Sequence, residues 1–161
     1  MSKPVSPFNS PLETGVRALS ILEAAHPNGC DLQRLVELDY LVVHSGDAGG
    51  PDSLHAPLPM RAGELLVRRE IIEKGLLLMA SRGLVEREAS PDGFLYRAGE
   101  AAAPYMAALS APYSIELRAR ANWAVQAFGD MTTDAIRTIT QRFFEKWTSQ
   151  FQPGQRRLPS L

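Results

Sequence analysis

Three segments with helical apolar spacing, two short strand-like runs about a tight turn, and then further helical segments follow one another along the chain. That order predicts a mainly α fold with a small β-hairpin: a winged helix-turn-helix followed by C-terminal helices. The organisation expected is an N-terminal arm at 1–9 and a winged-helix domain at 10–100 with a long loop at 44–60. A C-terminal helical extension at 101–152 and a flexible tail at 153–161 complete it.

The first element opens in NSPLETGVRALSILEAAHPNG. Ser10 can cap a helix, Pro11 fits a first turn where no N–H is needed, and Glu13 completes an S-x-x-E capping box. Leu12, Val16, Leu19 and Leu22 then recur at helical spacing until Pro27–Gly29, so a helix is predicted from Leu12 to Ala25. Asp31 can cap a second helix, LQRLVELDYLVV, with an apolar side of Leu32, Leu35, Val36, Leu38 and Val42. The run HSGDAGGPDSLHAPLP has no period and exceeds most connections inside compact domains. It is expected to be mobile or to be ordered by a partner.

RAGELLVRREIIEKGLLLMASRG predicts a long helix with Leu65, Ile72, Leu76 and Met79 along one face and Gly83 at its C-terminal cap. LVERE and GFLYRA read as two strands about Ser90-Pro91-Asp92-Gly93, with Pro and Gly where a type I turn favours them. EAAAPYMAAL predicts a short helix, and PYSIELRARANWAVQAF a longer one striped by Tyr113, Leu117, Ala121, Ala124 and Phe128. Thr133 can cap a last helix whose Ile136, Ile139, Phe143 and Trp147 make a heavy apolar face.

Composition narrows the function. The chain has 161 residues, 45% hydrophobic and 22% charged, as in ordinary globular proteins. No apolar run reaches the roughly 20 residues of a membrane span, and MSKPVSPFNS has no apolar signal core. A lone Cys30 forms neither an internal disulfide nor a zinc cluster, so a cytoplasmic protein is expected. Residues 1–110 hold ten basic and fourteen acidic side chains (−4), and residues 111–161 seven and four (+3). Neither part is the basic body of an independent nucleic-acid binder.

The chemistry available is sparse. His44, Asp47, Asp52 and His55 share one loop, but their spacing matches no standard metal site and a Gly-Gly step lies between them. Solvated or capping roles suit them better. Cys30 and His26 flank a turn, and free cysteines are usually small core residues. No phosphate loop, HExxH or GxSxG occurs. A non-enzymatic chain without a cofactor is expected; a hydrolase using His44 or His55 is the weakest reading.

The hairpin poses a sharper question. A DNA-binding wing should be basic, yet residues 81–100 carry Glu86, Glu88, Asp92 and Glu100 against Arg82, Arg87 and Arg97. The helix before it is balanced, with Glu64, Glu70 and Glu73 against Arg68, Arg69 and Lys74. Such a face supplies few phosphate contacts and is explained by solvated i,i+4 pairs such as Glu64–Arg68 and Glu70–Lys74. A winged-helix transcription regulator is therefore the alternative reading rather than the leading one. On the last helix, Phe143 and Trp147 are expected to close the core, leaving Phe144 and Phe151 as interface anchors.

Four blocks carry a family resemblance: PFNSPLETGVRAL, LVELDYLVVHSGD, SLHAPLPMRAGELLVRR, and GLV with GFLYRAGEAAAPYMAAL and PY beyond it. Together, from Phe8 to about Phe128, they resemble the middle component of ABC-three-component systems, which include the Lamassu-type bacterial defence operons. The resemblance implies a winged-helix adaptor without catalytic residues. It would link an SMC/Rad50-like ATPase dimer to an effector, often a nuclease, and reach DNA only through the assembled complex. Tyr40, His44, His55, Arg61 and Arg69, which lie in the matching blocks, are then expected among the partner contacts, with Phe144 and Phe151. Arg68, Arg118 and Arg120 are the positions where DNA held by such a complex would be touched, and Arg137 is a further cation with that option.

Overall fold

The computed structural model describes residues 10–55 and 62–151, the side chains of 62–66 and 144–151 excepted. Helix α1 spans Pro11–Ala25, and Ser10 Oγ accepts the Glu13 N–H at 3.2 Å, so the predicted cap forms. A two-residue strand, β1 (Cys30–Asp31), leads directly into α2 (Leu32–Val43), where Asp31 Oδ1 accepts the Arg34 N–H at 2.7 Å. Helix α3 spans Ala62–Ser81. It ends in a Schellman closure: the Leu84 N–H reaches the Met79 carbonyl and that of Gly83 the Ala80 carbonyl. Gly83 has φ +71°, the left-handed conformation that favours glycine there.

Strands β2 (Val85–Ser90) and β3 (Gly93–Ala98) form the predicted hairpin about Pro91–Asp92, with Ser90 opposite Gly93. Strand β1 is an addition to the expected hairpin and pairs antiparallel with β3 through Cys30–Tyr96 and Asp31–Leu95. The sheet therefore has three strands in the order β1-β3-β2. Helices α4 (Ala102–Ala108), α5 (Pro112–Phe128) and α6 (Thr133–Phe151) follow. The cap of α6 is Thr132 rather than the expected Thr133, since Thr132 Oγ1 accepts the Ala135 N–H.

Helix α2 is the axis of the packing. Every residue from Leu35 to Val43 is buried, and α1, α3, α5, α6 and the sheet surround it. The helices beyond the hairpin belong to this same core: Leu117, Ala121, Ala124 and Ile136 are at most 1% exposed within it. From α6 the inward residues are Ile136, Thr140 and Phe143, so Thr140 takes the place expected for Ile139. Arg34 binds the two regions further, donating to the carbonyls of Gly129 and Met131 at 2.7 and 2.8 Å.

Helices α1 and α3 meet backbone to backbone. A Cβ on Gly75 would stand 2.6 Å from the Gly15 nitrogen, and one on Gly15 would stand 2.8 Å from the Gly75 carbonyl. Glycine at both positions is what allows so close a crossing.

Of the loop expected at 44–60, residues 44–55 are described and 56–60 lie outside the described residues. Ser45–Ala48 form a 3-10 turn. Ser45 Oγ donates to the Pro51 carbonyl, and Leu54 and His55 both donate to the Val43 carbonyl at 3.1 Å. Trp123 of α5 lies over Gly50, where a Cβ would come within 2.3 Å of the indole. Residues 44–55 are thus ordered by the chain itself.

Candidate functional site

Two charged residues sit inside the apolar faces of α1 and α2, and they face each other. Arg17 and Asp39 are each 2% exposed and are joined by two hydrogen bonds, Nε to Oδ1 at 2.9 Å and Nη2 to Oδ2 at 3.3 Å. Arg68 of α3 completes a triad, with Nη1 2.6 Å from Asp39 Oδ2. Burial alone would push the Asp39 carboxyl up, but the two guanidinium groups outweigh it and hold it at about 2. One carboxylate therefore ties three helices together.

Aromatic and imidazole rings continue from the triad. The Arg68 guanidinium lies 6.0 Å from the Tyr40 ring centre, and the Tyr40 and His44 rings are 4.9 Å apart. The His44 ring is 6.5 Å from that of His55, which in turn is 2.9 Å from the Tyr113 hydroxyl of α5. Burial, and then the nearby arginines, lower both imidazoles to about 4, so they are neutral at pH 7. Burial raises the Tyr40 hydroxyl to about 12. His44 backs the end of α2 through its N–H to the Tyr40 carbonyl, as a capping role requires, but its ring is buried rather than solvated. Asp52, by contrast, is exposed and Asp47 half-buried.

The structure thus brings together Tyr40, His44, His55 and Arg68, four of the residues singled out from the sequence. It joins to them Arg17, Asp39 and Tyr113, none of which was expected as a site residue. The missed signal was a charge inside an apolar run: Arg17 in GVRALSIL and Asp39 in LVELDYLVV break otherwise buried faces. The arrangement holds neutral rings and a saturated carboxylate. Cys30 is buried on β1 with its thiol raised by burial to about 11, far from the reactive thiolate range. Among the described residues no group of three or more His, Cys, Asp or Glu is placed to hold a metal ion.

A second polar cluster joins α2, α3 and α6. Glu37 accepts from Gln33 at 3.0 Å and from Thr140 at 2.6 Å, and Arg137 lies 3.5 Å from it. Arg69 donates to Gln33 Oε1 at 3.1 Å. The remaining arginines marked for phosphate contact also have internal partners. Arg118 pairs with Glu23 of α1, and Arg120 donates to the carbonyls of Asp52 and Glu116. Arg68 pairs with Asp39 of α2, and the Glu64 side chain expected as its partner lies outside the described residues. On the hairpin, Arg97 pairs with Glu88, and the Arg87 guanidinium lies 4.2 Å from the Phe94 ring centre. Arg61 and the side chains of Phe144, Trp147 and Phe151 lie outside the described residues.

These features define a mainly helical module with a small antiparallel sheet, in which Arg17, Arg34, Arg68, Arg118 and Arg137 are tied to other elements of the fold. No helix among the described residues is long and apolar enough to cross a membrane. The chain belongs to the ABC-three component (ABC-3C) system Middle Component 2 family, whose model matches residues 7–150. A middle component is one part of a multi-subunit system, which implies an adaptor role among protein partners. No curated protein and no solved structure matches the chain.

Proposed function

We propose that this chain is a winged-helix adaptor of a Lamassu-type defence complex, without catalysis of its own. It links an SMC/Rad50-like ATPase to an effector and couples the sensing of foreign DNA to effector control. Family membership supports the adaptor role. The element order α1-β1-α2-α3-β2-β3, with strands in the order β1-β3-β2, supports the winged-helix reading.

The observation that carries the proposal is electrostatic. A winged helix that reads DNA presents free cations on its third helix and wing. Here Arg68, Arg69, Arg87 and Arg97 each contact a residue of the chain itself, and the exposed Lys74 and Arg82 share the surface with the exposed Glu70, Glu73 and Glu86. Such a surface is suited to polypeptides.

Co-expression with the neighbouring open reading frames tests this. The chain is expected to co-elute with an ATPase carrying long coiled coils. A monodisperse monomer that ignores that ATPase would refute the adaptor reading. The isolated chain is also expected to leave duplex oligonucleotides unshifted at low salt, where the regulator reading requires tight binding.

A further inference from the structure

A groove of about 310 Å³ lies between α3 and the tip of the β2–β3 hairpin. Its walls are the first turn of α2, Arg69 and Glu73 of α3, and Asp92, Phe94 and Tyr96 of the hairpin. We propose that this groove docks an arginine- or lysine-bearing segment of a partner protein. The proposal rests on the adaptor reading and names the surface that reading requires.

Charge gives the first argument. The lining carries Asp31, Glu73 and Asp92 against Arg69, a balance of −2. Arg87 at the border leaves it negative at −1. The Arg69 guanidinium is drawn to Gln33, whereas Glu73 and Asp92 are exposed and pair with no cation among the described residues. A duplex phosphate would meet carboxylates here, whereas a guanidinium or ammonium would meet acceptors.

The aromatic wall gives the second. Phe94 is 47% exposed at the hairpin tip, and its ring already carries the Arg87 guanidinium. The chain thus displays the cation-on-ring contact that an incoming arginine or lysine would repeat. The volume falls at the lower end of the ~300–1,000 Å³ of small-ligand pockets. That is room for one long side chain and its backbone rather than a large cofactor.

The test uses the full chain, co-expressed with its two system partners. Glu73→Lys with Asp92→Lys, and separately Phe94→Ala, are expected to weaken assembly at least ten-fold. The melting temperature of the isolated chain should stay unchanged, because all three side chains are exposed. A photo-crosslinking residue at Phe94 is expected to join a partner peptide containing Arg or Lys, and reversing that charge should restore binding to the Lys variants. Normal assembly by the charge-reversed chain overturns the groove and leaves the adaptor reading standing. Failure of the unaltered chain to assemble removes both. Retention of duplex DNA by the unaltered chain, lost in Phe94→Ala, overturns the groove in favour of nucleic acid.

Discussion

Replacing Asp39 by asparagine keeps the side chain's size and removes the charge that Arg17 and Arg68 share, so that two guanidinium groups face a neutral amide in a buried place. Breaking a buried pair in this way costs about 3–5 kcal/mol, so Asp39→Asn is expected to lower the denaturant midpoint sharply. Replacing Arg17 and Asp39 together by apolar residues should cost much less. Urea unfolding of the single and double variants checks both. The imidazoles set a pH dependence of defined sign. His44 and His55 are lowered to about 4 in the fold, by burial first, from an ordinary imidazole's 6.5. The unfolded chain therefore binds more protons between those values, and stability falls as pH drops from about 6.5 toward 4. Asp39, held at about 2, adds a further loss only below about 4. Melting temperatures from pH 7.5 to 4 should show the first decline, and His44→Gln should make it shallower.

At the scale of the element, the α1–α3 crossing sets competing effects against each other. Alanine in mid-helix gains up to about 1 kcal/mol over glycine. At Gly75, however, the new Cβ would lie 2.6 Å from the Gly15 backbone nitrogen, and neither backbone can yield without moving its helix. Overpacking of this kind costs about 1–3 kcal/mol. Gly75→Ala is therefore expected to destabilise in chemical unfolding, where Gly83→Ala would report only its φ. Most elements were legible from the sequence because caps and apolar periods are local signals: Ser10, Asp31, Gly83 and the Pro91–Asp92 turn all stand where the residues placed them. Strand β1 was not legible. Two residues have no period, and pairing with Tyr96 and Leu95 depends on chain 66 and 64 positions away. The order within 44–55 escaped for a related reason, since its anchors, Val43, Tyr113, Arg120 and Trp123, lie mostly on another helix.

For the whole molecule, the expected partition into a winged-helix domain and a helical extension meets a shared core. Leu117, Ala121, Ala124 and Ile136 pack with α1 and α2, and Arg34 caps the α5–α6 turn. A fragment ending at residue 110 would expose that face of α1 and α2. It is expected to lose cooperative unfolding and sharp near-ultraviolet dichroism while keeping helix, a molten behaviour. Sharp, cooperative unfolding of that fragment would restore the two-part view. Tyr40, His44 and His55, expected among the partner contacts, and Arg68, expected to touch DNA, lie together in one largely buried cluster. The ion triad that organises them joins positions 17, 39 and 68, which only the fold brings together.

Arg68 and Arg69, neighbours in one turn of α3, grip α2 at two marks six residues apart, Asp39 and Gln33. Sliding or rolling α3 along α2 would break both grips together. The spacing between α3 and the first turn of α2 is therefore fixed in the solitary chain, and a visitor there would find its berth already cut. Preorganisation of this sort lowers the ordering entropy of association.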